Sequence, residues 1–99
     1  MATFVMVNGI PGSMGKIVAE TCVERGLDLV PYSLTGEQIA ENESEVAGKK
    51  IQLLKPSNRE AKIAEVLVAY PGLIAVDFTH PTAVNENAEF YVAHRIPFV

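Results

Sequence analysis

The stretch TFVMVNGIPGSMGKIVAETCVE, residues 3–24, constrains the fold of this chain more than any other. Residues 3–7 are almost wholly apolar and rich in β-branched side chains, the pattern of a strand buried on both faces. Residues 8–13 form a turn carrying Gly9, Pro11 and Gly12. From Met14 onward, Met14, Ile17, Val18, Thr21 and Cys22 recur at helical spacing, with Lys16, Glu20 and Glu24 on the opposite face. A strand, a glycine turn and a helix in this order make the phosphate-binding start of a dinucleotide-binding fold. Gly9 permits the tight turn, Gly12 lets a pyrophosphate approach bare backbone, and Gly15 lets helix and strand pack closely. The amino terminus of the helix then offers unpaired N–H groups and a partial positive charge to phosphate.

The spacing is G-x-x-G-x-x-G, one residue longer before the second glycine than the common form. A tight connection with no ligand also accounts for such a turn, and the motif names no reaction. Because Gly12 lies in the turn, Gly12→Val is expected to block pyrophosphate approach with little loss of fold. The 99 residues suffice for one small domain, and a net charge of −4 argues against electrostatic binding of nucleic acid or an anionic membrane. The single cysteine, Cys22, falls on the apolar helix face and reads as a core residue. No apolar run has the length of a membrane span. Met1 nearly abuts the first strand, which leads us to expect no leader peptide and a cytosol-type compartment.

Residues 27–32 read as a second buried strand. In a dinucleotide fold an acid at its carboxyl end would accept hydrogen bonds from the 2′-hydroxyl of NADH and repel the 2′-phosphate of NADPH. Here the tip reads Ser33-Leu34-Thr35-Gly36, with hydroxyls and no acid. This composition permits NADPH. Ser33 and Thr35 serve either the ribose or ordinary turn chemistry. Residues 37–45 read as a polar loop. Val46-Ala47-Gly48-Lys49-Lys50 reads as a tight turn joining residues 44–46 and 50–54 in a hairpin, which leaves the second crossover helix missing or shrunken. Lys49 and Lys50 are either phosphate ligands or a solvated turn.

Ser57 followed by Glu60 has the capping-box pattern, opening a helix whose apolar face would be Ala61, Ala64, Leu67 and Val68. Tyr70-Pro71-Gly72 stops it. Residues 73–78 form a third buried strand, and Pro81 suits the first turn of a further helix with Val84, Ala88, Tyr91 and Val92 on its buried side. Residues 96–99 begin another strand. Strands alternating with helices imply a parallel sheet that binds ligands at its carboxyl edge. On that edge, Phe78 and Thr79 would line the nicotinamide side of a dinucleotide. His80 is either a helix cap or a chemical participant, and His94 complements a helix dipole. No His, Cys or carboxylate set has metal-ligand spacing, so no metal is expected.

Taken together, VNGIPGSMGK, PSNRE, VDFTHPTAVNENAEFYV and IPFV resemble the amino-terminal half of dihydrodipicolinate reductase, in the branch of plants and cyanobacteria. The likeness covers nearly the whole chain. It implies an enzyme, usually a tetramer, that uses NADPH or NADH to reduce 4-hydroxy-tetrahydrodipicolinate in lysine and diaminopimelate synthesis. It implies that Gly9, Ile10, Pro11, Gly12, Ser13 and Met14 cradle the cofactor pyrophosphate and that Phe78 and Thr79 approach the cofactor beyond the central strands. An arginine often follows that Phe-Thr pair in the bacterial branch, where this chain has His80. The acidic ribose-binding residue of that branch has no counterpart at residues 33–35, so its NADH preference does not carry over. The family continues into a Gly-Thr-Thr-Gly loop and a second domain holding the substrate-binding histidines and lysine, and neither falls within residues 1–99.

The expectation is therefore an α/β chain: a Rossmann-like parallel sheet with helices on both faces, cut off at its last strand. Residues 1–99 would form the NAD(P)H domain of this reductase, catalytically inactive alone, located in the cytosol or, after loss of a transit peptide, the plastid stroma. The alternatives are a stand-alone nucleotide-binding module with a regulatory or scaffolding role, and a CoA-binding domain of an acyl-CoA ligase.

Overall fold

The computed structural model describes residues 3–10, 12–37, 39–79 and 84–99. Strand β1 (Phe4–Asn8) is followed by helix α1 (Ser13–Glu24), strands β2 (Asp28–Leu29), β3 (Tyr32–Leu34), β4 (Glu43–Val46) and β5 (Lys49–Leu54), helix α2 (Arg59–Ala69), strand β6 (Ile74–Asp77) and helix α3 (Val84–Ala93). Two three-stranded ladders form, in the orders β2-β1-β6 and β3-β5-β4. β1 runs parallel to both β2 and β6, and β3 runs parallel to β5, whereas β4 is antiparallel. The expected strand over residues 27–32 is thus broken. Pro31 has no N–H to give to a ladder, and the chain leaves β1 after Val30 to pair with β5 from Tyr32. A backbone bond from the Gly9 amide to the Leu34 carbonyl, 2.9 Å, carries the first ladder across to the second. At the other edge, residues 97–99 lie parallel to β6 through the Ala75–Phe98 bridge. The result is an α/β parallel sheet of the Rossmann type, as expected.

Alternation along β1 builds a core on each face. Val5 and Val7 pack with Ile10, Ala19 and Cys22 of the α1 side, while Met6 packs with Ile63, Val66, Phe90 and Tyr91 of α2 and α3. Burial raises the pKa of the Cys22 thiol, in keeping with a packing role. β4 and β5 form the hairpin read from the sequence, closed by Ala47-Gly48 between the paired Val46 and Lys49. Both turn residues have positive φ, 52° and 78°, as a two-residue turn matched to strand twist requires. This hairpin stands where a crossover helix would join β3 to β5.

The helix faces differ from the hydrophobic pattern. In α1 the buried residues are Gly15, Ala19 and Cys22, and Met14 and Ile17 are each 58 % exposed. Small residues face the sheet because the glycine turn draws the helix start close to β1, leaving no room for longer side chains. In α2 the buried residues are Arg59, Ile63 and Val66; Ala61, Ala64 and Val68 are exposed. The capping box is not formed. Asn58 is the N-cap, its side-chain oxygen accepts from the Lys55 amide at 2.9 Å, and the Ser57 amide donates to Glu37 Oε1 at 2.6 Å. In α3, Asn87, Phe90 and Tyr91 are buried and Val92 is exposed. The readings of Pro81 and of the Val84 side chain lie outside the described residues. His94 sits one residue past α3, 2.9 Å from Glu60 Oε2, with its ring tilted against Phe90 at 4.6 Å between centroids.

Candidate functional site

The carboxyl ends of β1 and β6 meet at the glycine turn. Gly9 has φ +106°, and a Cβ there would lie 2.5 Å from the Phe78 carbonyl oxygen. Only glycine lets the turn seat itself against the backbone leaving β6. Its neighbour Asn8 is fully buried, and the Asn8 carbonyl accepts the Phe78 amide at 2.9 Å. Turn and arm are thereby held together. Gly12 closes the turn by donating its N–H to the Gly9 carbonyl at 2.8 Å.

A Cβ at Gly12 would lie 2.8 Å from that same Gly9 oxygen. The expectation that Gly12→Val spares the fold is therefore wrong: the side chain would displace the turn itself. Gly15 is close to the turn in the same way, with a Cβ 3.2 Å from the Gly9 carbonyl carbon. The helix proper begins where the Lys16 amide reaches the Gly12 carbonyl at 3.0 Å, and Gly12 supplies no capping side chain. The amides of Ser13, Met14 and Gly15 precede that first bond and have no intrahelical acceptor. Ser13 and Met14 are exposed, so this end of α1 is open to an anion. Pro11 lies outside the described residues, as does His80.

Ser33 and Thr35 are not on an exposed tip. Ser33 is the middle residue of β3 and fully buried, and its Oγ accepts the Ile10 amide at 3.2 Å. It braces the turn from beneath. Thr35 is also buried, its amide bonded to the Leu54 carbonyl at 2.9 Å. Gly36 and Glu37 are the first residues past β3 to reach the surface, and the Glu37 carboxylate accepts the Ser57 amide. An acid does stand near this strand end, one residue beyond the Ser33-Leu34-Thr35-Gly36 tip weighed from the sequence. Lys49 and Lys50 begin β5, at the sheet edge opposite the glycine turn, where with Phe4, Asp28 and Tyr70 they line an open cleft of about 650 Å³.

The sequence reading missed a set of polar side chains behind Phe78 and Thr79. Asn8 Oδ1 accepts the Leu34 amide at 2.7 Å, and Asn8 Nδ2 donates to the Tyr91 hydroxyl at 2.7 Å. Tyr91 donates to Asp77 Oδ2 at 2.7 Å, and Asp77 Oδ1 accepts both the Thr79 amide, at 2.7 Å, and the Thr79 hydroxyl. Asn87 Nδ2 donates to Thr79 Oγ1 at 2.9 Å and its Oδ1 accepts from Arg59 at 2.6 Å. Burial, and then the bond to Asp77, push the Tyr91 pKa upward, so the phenol stays protonated. A buried asparagine ending an otherwise apolar strand was the one sequence signal of this set. Among the described residues no group of three His, Cys, Asp or Glu side chains could hold a metal, and no helix is long and apolar enough to cross a membrane.

Residues 3–99 match the family profile described as "Dihydrodipicolinate reductase, N-terminus". The chain is 40 % identical over 95 residues to the probable 4-hydroxy-tetrahydrodipicolinate reductase 1, chloroplastic, of Oryza sativa subsp. japonica, covering 96 % of this chain and 28 % of that protein. It is 43 % identical over 95 residues to 4-hydroxy-tetrahydrodipicolinate reductase 2, chloroplastic, of Arabidopsis thaliana, covering 96 % of this chain and 27 % of that protein. The chain thus spans under a third of the length of these curated relatives.

Proposed function

From a chain that belongs to the dihydrodipicolinate reductase family, matching its amino-terminal domain over residues 3–99, we propose a dinucleotide-binding domain of a 4-hydroxy-tetrahydrodipicolinate reductase. The bound NADPH or NADH would supply hydride. This chain's own residues would bind and orient the cofactor, and substrate binding and proton supply would fall to parts of the protein outside it. The observation that supports this best is the glycine turn seated on the Phe78 carbonyl beside the open start of α1.

In this proposal the turn formed by Gly9, Ile10, Pro11, Gly12, Ser13 and Met14 surrounds the pyrophosphate. The amides of Gly9, Ile10 and Gly12 are engaged within the protein and shape that turn, and the free amides of Ser13 and Met14 with the α1 dipole hold the anion. Ser33 acts from below by fixing the Ile10 amide, and Thr35 with Gly36 borders the adenosine ribose. Phe78, 37 % exposed, and Thr79 border the nicotinamide side. NADPH use, alone or beside NADH, follows from the lack of an acid at residues 33–35 and from Glu37 being engaged by Ser57. A homotetrameric parent and a location in the cytosol or the plastid stroma belong to the same proposal; the named relatives are chloroplast proteins.

The test is a chimera. The aligned 95 residues of the Arabidopsis reductase would be replaced by this chain, and oxidation of NADPH followed by absorbance with enzymatically generated substrate. Turnover within about tenfold of the parent supports the proposal. A folded chimera that binds neither dinucleotide, or a chain that binds CoA in preference to both, refutes it.

A further inference from the structure

The side-chain network behind Phe78 and Thr79 does more than fill space. Its members come from β1 (Asn8), the end of β6 (Asp77), the arm that follows (Thr79), the start of α2 (Arg59) and α3 (Asn87, Tyr91). Asn8, Asn87, Arg59 and Tyr91 are buried, and only Thr79 and Asp77 are partly exposed. Apolar side chains of similar volume would fill such a place without the desolvation cost that buried polar groups carry. These side chains are instead joined by hydrogen bonds into one connected chain. No buried side-chain polar atom among the described residues lacks a partner.

The route of that chain is specific. It starts at Leu34, whose carbonyl holds the Gly9 amide and whose own amide is held by Asn8 Oδ1 at 2.7 Å. It passes through Asn8 Nδ2, the Tyr91 hydroxyl and the Asp77 carboxylate, and ends on the Thr79 amide and hydroxyl. One end therefore fixes the glycine turn and the other fixes the Phe78–Thr79 arm. Beside the backbone bond from the Phe78 amide to the Asn8 carbonyl, Tyr91 is the side-chain link between them: its oxygen accepts from one side and donates to the other. Since burial and Asp77 hold the phenol protonated, its part is directional and not that of a proton carrier.

We infer that Asn8, Tyr91 and Asp77 are positioning residues that set the Phe78–Thr79 arm against the glycine turn, so that the nicotinamide half of a dinucleotide is held in register with its pyrophosphate. This deepens the cofactor reading above and rests on it. Loss of the link should leave the adenosine half bound as before, because the Ser33–Ile10 bond and the α1 start stand apart from Tyr91. It should weaken the intact dinucleotide, which must engage both arms.

The test compares Tyr91→Phe with the unsubstituted chain. Dissociation constants would be measured by calorimetry for the tighter of NADPH and NADH, and for its adenosine half, adenosine 2′,5′-bisphosphate or ADP. The expected result is about tenfold weaker dinucleotide binding, with the adenosine half unchanged within about twofold, the scale of one lost hydrogen bond to a charged group. Asn87→Ala serves as a second variant. It leaves the Asn8–Tyr91–Asp77 bonds in place while removing the Asn87 bonds to Thr79, Asp77 and Arg59, and it should show the same discrimination at smaller size. Equal losses for both ligands, no loss in a folded variant, or unfolding of both variants would assign the network to stability alone and overturn the inference. An unsubstituted chain that binds neither dinucleotide would instead sink the cofactor reading, so the two failures are distinct.

Discussion

Replacing Gly9 by alanine tests the geometry on which the site depends. Two costs are separable. The backbone at φ +106° disfavours any Cβ, by roughly 1–2 kcal/mol. The added Cβ would also meet the Phe78 carbonyl oxygen at 2.5 Å and its carbon at 2.6 Å. Ordinary van der Waals separation needs the arm to back off by roughly 0.9 Å, and crowding of this kind costs about 1–3 kcal/mol. The arm cannot move freely, because the Phe78 amide is bonded to the carbonyl of buried Asn8. The expected loss is about 2–5 kcal/mol, a large share of the roughly 5–15 kcal/mol that stabilises a chain of this size. Gly26→Ala is the internal control. Gly26 has φ +78° with nothing within 4 Å of a Cβ, so it carries the conformational cost alone, about 1 kcal/mol. Urea denaturation followed by circular dichroism, with equal slopes for all three proteins, gives both numbers. Losses equal within about 0.5 kcal/mol would show that the Phe78 contact contributes nothing and would refute the reasoning.

Two further substitutions follow from the corrected geometry. Ala47→Asn should stabilise the β4–β5 turn by about 0.5–1 kcal/mol, since Asn-Gly tolerates the positive φ that alanine resists; a melting midpoint raised by roughly 2–8 °C is expected, and no rise would count against the turn assignment. Gly36→Asp should weaken NADPH by about 1–2 kcal/mol, roughly 5–30-fold, and spare NADH, whereas Ser33→Asp would bury a charge under the glycine turn and unfold it. Calorimetric titration of Gly36→Asp with both dinucleotides decides the point, and equal effects on the two would contradict it.

What the sequence revealed was local. The β4–β5 hairpin was visible because two small residues between paired polar and apolar runs dictate a two-residue turn. The opening strand, turn and helix were visible for the same reason. Pro31 carried a signal that went unused, for a residue without an N–H cannot sit mid-ladder. The faces of α1 were misread because hydrophobic periodicity weights large side chains, while close helix–sheet packing at Gly15 and Ala19 demands small ones. Ser57 and Glu60 had the spacing of a capping box, yet Glu37, 20 residues away, took the Ser57 amide. The polar network was the least legible part. Asn8 and Tyr91 are 83 residues apart, and a side-chain bond of that separation leaves no periodic or compositional trace.

The central claim is that the glycine turn and the Phe78–Thr79 arm together form a dinucleotide site. Titrating the isotopically labelled chain with NADPH, and following backbone amide resonances, tests it most directly. The amides of Gly9, Ile10, Gly12, Ser13 and Met14 are expected to shift together with those of Phe78 and Thr79, while Lys49, Lys50 and Tyr70 in the cleft at the opposite edge stay fixed. Shifts confined to that opposite cleft, or an unchanged spectrum at millimolar NADPH, would contradict it.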